Sequence, residues 1–203
     1  MKYADENKID LILLSAHGRS GINIWDLGDI AYKVIHAAQV PVWLVPNELR
    51  EEIIYDKLPK RTIVVPLDGS KLSEAVIPHA INIAKQRGAE FEMVLVHVQD
   101  PTTSSIPPYN VEQIKNMEAE SQEKKKYLDS LVEKMGAEGI KAQAHLLTGE
   151  PARTIIDFVK NNPAQLIAMT THAHAGISRM IFGSVTENVI HLVKKTPILL
   201  VRP

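Results

Sequence analysis

An internal repeat constrains the fold of this chain more than any other feature. When the sequence is displaced by 155 positions, DLILLSAHGRSGINIWDLGDIAYKVIH at 10–36 lies over QLIAMTTHAHAGISRMIFGSVTENVIH at 165–191, with identical residues at nine positions. At a displacement one residue larger, PVWLV at 41–45 lies over PILLV at 197–201. Such self-similarity indicates that one structural unit occurs twice in the chain.

The two copies are unequal in length. Residues 61–203 contain the whole unit, whereas residues 1–46 match only its last part, because Met1 lies opposite Ile156 in the third predicted helix. We therefore expect a truncated repeat at 1–46, a charged linker at 47–60 and a complete domain at 61–203. The truncated copy lacks three strands, and we expect that it cannot close a hydrophobic core alone.

Short apolar runs alternate with helical periodicity in the complete copy. This alternation is typical of βαβ units, whose strands form a parallel sheet. We therefore predict the α/β fold class, with an open five-stranded parallel sheet and helices on both faces. The predicted strands are TIVVPLD at 62–68, FEMVLVHV at 91–98, KAQAHLL at 141–147, LIAMT at 166–170 and PILLV at 197–201.

The composition argues against several classes of function. The net charge is -1 and the charges are scattered, so no basic patch indicates a nucleic acid or a membrane surface as a partner. The chain contains no cysteine, which excludes disulfides, thiolate catalysis and cysteine-based metal sites. No apolar run approaches the roughly 20 residues of a membrane span. We expect a cytoplasmic protein.

The ends of the first and fourth predicted strands define a candidate ligand crevice. In open α/β sheets a ligand lies beyond the carboxyl ends of the strands, where the strand order reverses, and Asp68 and Thr170 occupy those ends. The helix that begins near Ser184 offers free N–H groups and a positive dipole end to a phosphate. The same segment, SVTE at 184–187, also matches a capping box, in which Ser184 and Glu187 satisfy the helix start without a ligand. Both interpretations are open at this point.

Other candidate sites have weaker patterns. His172 and His174 form an H-x-H pair, but with no cysteine and no nearby carboxylate we interpret it as a solvated loop, and we predict no metal beyond one that accompanies a nucleotide. We interpret His97, at a strand end, as a structural histidine. Ser70 and Ser73 indicate a helix start rather than a nucleophile, since no histidine stands at a suitable spacing. LDGSKLSEA lacks the G-x-G-x-x-G of a dinucleotide site.

Three segments resemble the universal stress protein family: VPLDGS at 65–70, VHV at 96–98 and GSVTENVIHLVKKTPILLVRP at 183–203. The resemblance covers 61–203, and residues 1–46 resemble the last part of a second, tandem-like domain. It implies an adenine nucleotide α-hydrolase-like, Rossmann-like fold, a stress-response role and ATP as the ligand. The ATP contacts that it implies are Pro66, Asp68, Val98, Met169, Thr170, His172, Ala173, Gly183, Ser184 and Val185.

The glycine motif of the ATP-binding members, G-x2-G-x9-G-[ST], is incomplete in the complete copy. Thr170 and Ala173 stand in place of the two leading glycines, while Gly183 and Ser184 remain. Glycine lets the backbone approach a phosphate and adopt positive φ, a conformation that costs other residues roughly 1–2 kcal/mol. Restoring both glycines is therefore expected to tighten ATP binding by roughly ten- to several-hundredfold.

The truncated copy departs further from this motif. Ser15 replaces its first glycine, and Asp29 places a carboxylate where a phosphate would lie. It also lacks a counterpart of Asp68, so we expect no nucleotide there. We therefore expect a non-catalytic stress-response module with a degraded ATP pocket, which acts through binding and association. The alternative is a functional, weakly ATP-hydrolysing member of the family, so enzymatic activity stays an open question.

The last strands of the two copies, PVWLV and PILLV, are apolar on both faces and poorly suited to an exposed sheet edge. We predict that residues 42–45 pair antiparallel with residues 198–201 of the same chain. Residues 10–15 then have no first strand beside them, and we expect a second chain to cover them. The expected assembly is a homodimer or a larger homo-oligomer.

Overall fold

Seven strands of the described chain form one sheet. The computed structural model describes residues 2–16, 27–86, 91–101, 111–171 and 182–203. Its strands are β1 (Ile12–Ser15), β2 (Val42–Val45), β3 (Arg61–Pro66), β4 (Phe91–Gln99), β5 (Lys141–Thr148), β6 (Leu166–Thr170) and β7 (Ile198–Val201). Its helices are α1 (Lys2–Glu6), α2 (Asp29–Ala37), α3 (Glu51–Ile54), α4 (Lys71–Glu74), α5 (Ile77–Gln86), α6 (Val111–Ala137), α7 (Pro151–Asn161) and α8 (Ser184–Leu192).

The strand order across the sheet is β1-β2-β7-β6-β3-β4-β5. All neighbouring strands are parallel except β2 and β7, which pair antiparallel. Strands β3 to β7 therefore form the five-stranded parallel sheet that the sequence predicts, and β1 and β2 extend it into a mixed sheet of seven strands.

Alternate residues of the central strands enter two separate cores, one on each face of the sheet. Val64 and Val94 belong to a core that includes residues of α2, α7 and α8. Ile63 and Met93 belong to a second core that includes residues of α5 and α6. Because successive side chains of a strand point to opposite faces, this division confirms the prediction of helices on both faces.

The antiparallel junction between β2 and β7 joins the N-terminal segment to the rest of the sheet. Its register pairs Val42 with Leu200, Trp43 with Leu199, and Leu44 with Ile198. The pairing predicted between 42–45 and 198–201 is confirmed at these positions. The side chains of β7 are buried on both faces of the sheet, so β2 covers an edge that would otherwise expose an apolar strand.

Backbone hydrogen bonds of the N-terminal segment recur at the displacement found in the sequence. The residues before α2 and α8, Gly28 and Gly183, have nearly the same conformation, with φ/ψ of -59°/146° and -59°/140°. The matching bonds are Gly28 N to Ala16 O (3.0 Å) with Gly183 N to Thr171 O (2.9 Å), and Ala16 N to Val45 O (2.8 Å) with Thr171 N to Val201 O (2.8 Å). Similar sequence thus produces similar local structure in the two segments.

The antiparallel junction also determines at which end of the sheet each strand has its carboxyl end. Strands β1 and β2 run in the direction opposite to β3 and β6. The carboxyl ends of β1 and β2 therefore lie beside the amino ends of the other strands, at the opposite end of the strands from the carboxyl ends of β3 and β6.

The segment predicted as a linker, 47–60, contains α3 and is held against the sheet. Arg50 N donates to Lys195 O (3.2 Å), the Asp56 carboxylate accepts from Gln165 Nε2 (2.8 Å), and it also pairs with Arg61. These contacts fix the path of the chain into β3. Over the described residues, none of the helices has the length and the apolar character that crossing a bilayer requires.

We predict that the packing of β2 on β7 makes a large contribution to stability. Leu44 is 3% exposed in the core beside α2 and α8, so Leu44→Ala is expected to lower the free energy of unfolding by about 2–5 kcal/mol in urea titrations. Ile30→Ala on α2, where the side chain is 76% exposed, is the control and is expected to change it by about 0.5 kcal/mol or less. Equal, small losses for both variants would contradict this packing.

Candidate functional site

A cleft of about 470 Å³ opens at the carboxyl ends of β3 and β6. The chain passes from β3 to β4 and β5 on one side and returns to β6 and β7 on the other, so the strand order reverses between β3 and β6. This is the position at which open α/β sheets bind ligands. The volume lies within the range of about 300–1,000 Å³ that is typical of small-molecule sites.

The structure brings eight of the ten predicted contact residues together around this cleft. His172 and Ala173 lie outside the described residues. The lining residues that the resemblance implied are Pro66, Asp68, Val98, Met169, Thr170, Gly183, Ser184 and Val185. They come from the ends of three strands and from the start of α8, so the predicted set is a spatial cluster.

The turn after β3 orients the Asp68 carboxylate at the mouth of the cleft. Asp68 Oδ1 accepts a hydrogen bond from Ser70 N (2.8 Å), and the chain between them passes through Gly69 at φ +89°, a conformation that favours glycine. Ser70 caps α4, since its side chain accepts from Ser73 N at 3.1 Å. The helix start predicted from Ser70 and Ser73 is therefore confirmed.

Lys124, from the long helix α6, brings a positive charge to this turn. Its Nζ lies 3.4 Å from the point that a Cβ atom at residue 69 would occupy, and its side chain lines the cleft. Asp100 and Glu120 line the same cleft. With Asp68, the lining thus contains three carboxylates and one ammonium group. The sequence analysis missed Asp100, Glu120 and Lys124, because no motif or periodic pattern connects α6 or the end of β4 with the residues after β3.

His97 is buried at the end of β4 and also lines the cleft. Its Nδ1 lies 2.9 Å from Leu67 O, and since a carbonyl only accepts, Nδ1 carries the proton and Nε2 is an acceptor in the neutral ring. The structural contact predicted for this histidine is therefore present. Burial lowers the pKa of His97 below its ordinary value, the Lys124 ammonium lowers it further, and the Leu67 hydrogen bond and the Asp68 charge act in the opposite direction.

The start of α8 differs from the predicted capping box. The helix begins at Ser184 with Gly183 as its N-cap, and no side chain caps it. The capping-box interpretation of SVTE is wrong because Ser184 already lies in the first helical turn, where its hydroxyl is not at the N-cap position. Instead, Thr186 Oγ1 donates to Thr170 O at 2.9 Å. The N–H groups of the first turn therefore lie at the wall of the cleft without a side-chain acceptor at the cap.

Thr170 also departs from the expectation of a left-handed backbone. It is the last residue of β6 and is extended, and the only non-glycine residues with positive φ in the described chain are Lys8 and Asp56. The expectation of positive φ at Thr170 is therefore wrong, because the pairing of β6 with β7 extends to Thr170 and Val201 and holds the backbone in the strand conformation. What Thr170 changes relative to a glycine is the presence of its side chain.

The sequence profile of the universal stress protein family matches residues 1–46 and 60–202. Universal stress protein MJ0531 of Methanocaldococcus jannaschii is 35% identical over 131 residues, which cover 64% of this chain and 75% of that protein. Universal stress protein Rv2005c of Mycobacterium tuberculosis is 25% identical over 203 residues, or 97% of this chain. This second match covers 63% of the relative, so the chain spans less than two thirds of that protein's length.

Solved structures show the same fold. A universal stress protein from Archaeoglobus fulgidus superposes with a TM-score of 0.67 at 22% identity, over 99% of this chain and 64% of that one. A universal stress protein solved in complex with cAMP superposes with a TM-score of 0.50 at 20% identity, over 70% of this chain and 97% of that one. At these identities the likeness establishes the architecture alone.

We predict that His97 makes the stability of the protein pH-dependent. Its folded pKa is lowered, so below the unfolded value of about 6.5 the unfolded chain binds more protons than the folded one. The free energy of unfolding should therefore fall as the pH is lowered from 7.5 to 5.5. In His97→Asn this fall should be smaller, as measured by urea titrations at each pH. Identical pH profiles for the two proteins would show that His97 titrates normally.

Proposed function

The chain belongs to the universal stress protein family, and on that premise we propose that it is a non-catalytic, cytoplasmic stress-response module that binds an adenine nucleotide at the Asp68 cleft. We propose that it favours a single phosphate over a triphosphate, because its ATP pocket is degraded at the leading glycines. The observation that carries this proposal is that the cleft keeps Asp68 and the Gly183–Ser184 helix start, while Thr170 occupies the first glycine position.

The base and ribose half of the cleft suits an adenine nucleoside. Pro66, Val98 and Met169 supply apolar surface for a flat aromatic ring. The Asp68 carboxylate, held at the mouth by its bond to Ser70 N, can accept hydrogen bonds from ribose hydroxyls. This half of the site requires no residue of the damaged glycine motif.

The phosphate half supports one phosphate better than three. The uncapped first turn of α8 offers N–H groups and the positive end of a helix dipole, which suit one phosphate. Asp100 and Glu120 line the same cleft and repel additional negative charge, and Lys124 opposes only part of that repulsion. The structural neighbour in complex with cAMP, a nucleotide with a single phosphate, supports the same ligand class.

The candidate catalytic groups support a binding role. The Ser73 hydroxyl donates to Ser70 O at 2.8 Å, and the Nδ1 proton of His97 is donated to Leu67 O. A nucleophile needs a general base within hydrogen-bond reach, and the Ser73 hydroxyl donates to a backbone carbonyl rather than to a base. A weakly ATP-hydrolysing protein is the second candidate, which the free N–H groups of α8 and the Lys124 ammonium favour.

We further propose the domain division 1–46, 47–60 and 61–203. The family profile matches two ranges separated by 47–59. The recurrent hydrogen bonds around Gly28 and Gly183 support a shared unit. On this proposal the first segment is a truncated copy that depends on β7 for its sheet partner.

We predict an affinity order that separates the two candidate functions. Calorimetric titration should give AMP an affinity about tenfold higher than that of adenosine, because one phosphate gains the N–H groups of α8. ATP should bind no more tightly than AMP. The double change Thr170→Gly, Ala173→Gly should tighten ATP by roughly tenfold and leave adenosine unchanged, since the extended Thr170 has no left-handed backbone cost of about 1–2 kcal/mol to relieve.

The matched control is Ser15→Gly, which makes the corresponding change at the carboxyl end of β1, away from the cleft. This variant should change neither the affinity for ATP nor the affinity for adenosine. Wild-type binding of ATP much tighter than that of AMP would instead favour the ATP-binding alternative, whose hydrolysis a phosphate-release assay would then test. No gain for ATP in the double variant would overturn the degraded-pocket proposal.

We propose that a second copy of the chain covers the open edge at β1, forming a homodimer. Leu13 is 67% exposed, whereas Ala168, which lies opposite it at the displacement of 155, is fully buried. The sheet face that helices cover over β6 is thus open over β1. β1 is the outermost strand of the sheet. A two-fold axis beside β1 would bring the β1 strands of two copies together, so that each copy covers the exposed strand of the other.

This assembly predicts the effect of a charge at β1. Light scattering coupled to size exclusion at micromolar concentration should give a dimer mass for the wild type and a monomer mass for Leu13→Lys. Ile30→Lys, at an exposed position of α2, should remain dimeric. A monodisperse wild-type monomer would rule out this arrangement.

A further inference from the structure

Three aromatic rings link the N-terminal segment to the start of α8. The ring centroids of His36 and Phe182 are 4.3 Å apart, those of Tyr32 and His36 are 4.1 Å apart, and those of Tyr32 and Phe182 are 5.7 Å apart in an edge-on arrangement. Tyr32 and His36 lie one turn apart on α2, and we call the three residues the ring cluster. The edge-on arrangement of Tyr32 and Phe182 is one that stabilises an aromatic pair beyond the area that it buries.

Phe182 is the residue through which this cluster reaches the candidate nucleotide site. It is 5% exposed and packs in the core shared by α2, α7 and α8. The next residue, Gly183, is the N-cap of α8, donates to Thr171 O at 2.9 Å and lines the cleft. A displacement of Phe182 therefore moves the N–H groups at the wall of the cleft.

The corresponding position at the other end of the sheet lacks this packing. At the displacement of 155, Leu27 corresponds to Phe182 and His191 corresponds to His36. Leu27 and His191 line a cavity of about 260 Å³. Rings thus pack beside the retained Gly183–Ser184 helix start, whereas the residue at the equivalent position before α2, Leu27, has no ring and lines a cavity.

We propose that the N-terminal segment regulates the phosphate affinity of the Asp68 cleft, with His36 as a positioning residue that acts through Phe182 on the start of α8. This inference rests on the proposed nucleotide site. No described residue of the segment before β2 lines the cleft, so the influence that we propose for Tyr32 and His36 runs through packing. It acts on the phosphate and leaves the base and ribose contacts unchanged, because Pro66, Asp68 and Val98 belong to β3, its turn and β4.

The test compares AMP with adenosine in calorimetric titrations of wild type and His36→Ala. The variant should lose about tenfold in affinity for AMP and less than twofold for adenosine. His36→Phe, which keeps a ring between Tyr32 and Phe182, should retain the wild-type ratio. Ile30→Ala, on the same helix but outside the cluster, is the matched control and should also retain it.

A ligand-free measurement checks the same coupling. Hydrogen exchange of the Gly183 amide, which is bonded to Thr171 O, should be faster in His36→Ala than in Ile30→Ala, while urea titrations establish that both are folded. If His36→Ala does not fold, Tyr32→Ala removes the edge contact to Phe182 and takes its place.

The outcomes separate this inference from the proposed function. A wild type that binds AMP no better than adenosine overturns the proposed phosphate site and this inference with it. A wild-type preference for AMP that persists in His36→Ala, with unchanged Gly183 exchange, overturns only the positioning role.

Discussion

The antiparallel pairing of β2 with β7 is the contact on which the rest of the architecture depends. β7 is apolar on both faces and nearly without solvent exposure, so both of its edges need a partner strand. β6 occupies one edge and β2 occupies the other. This pairing carries the whole N-terminal segment into the sheet, and it brings α2 against α8 within one continuous core.

The candidate site collects chemically different groups at one place because parallel strands end together. The turn after β3 supplies a carboxylate, β4 supplies a buried histidine, and the start of α8 supplies backbone donors. The lining carries one ammonium and three carboxylates. For the nucleotide that we propose as the ligand, this balance would make the length of the phosphate chain the variable of selectivity.

Much of the fold could be predicted from the sequence because repetition and apolar patterning act locally. The five parallel strands, the pairing of β2 with β7 and the cap of α4 at Ser70 follow from such patterns, and the family motifs located eight cleft residues. Lys124 and Glu120 could not be predicted, since α6 lies between β4 and β5 in the chain and no sequence pattern places it beside the turn after β3. The helix does begin at Ser184, but the capping-box interpretation failed for a different reason: the pattern is satisfied by sequence alone, whereas Gly183 is the N-cap and Thr186 bonds to Thr170 O.

The long-range pairing of β2 with β7 has a consequence for synthesis. The partners of Val42 and Leu44 are translated more than 150 residues later, at Leu200 and Ile198. At about 5–20 residues per second, the ribosome needs roughly 8–30 s to supply them. During this interval β2 lacks its β7 partner, so this apolar strand must be kept from aggregating until β7 has been synthesised.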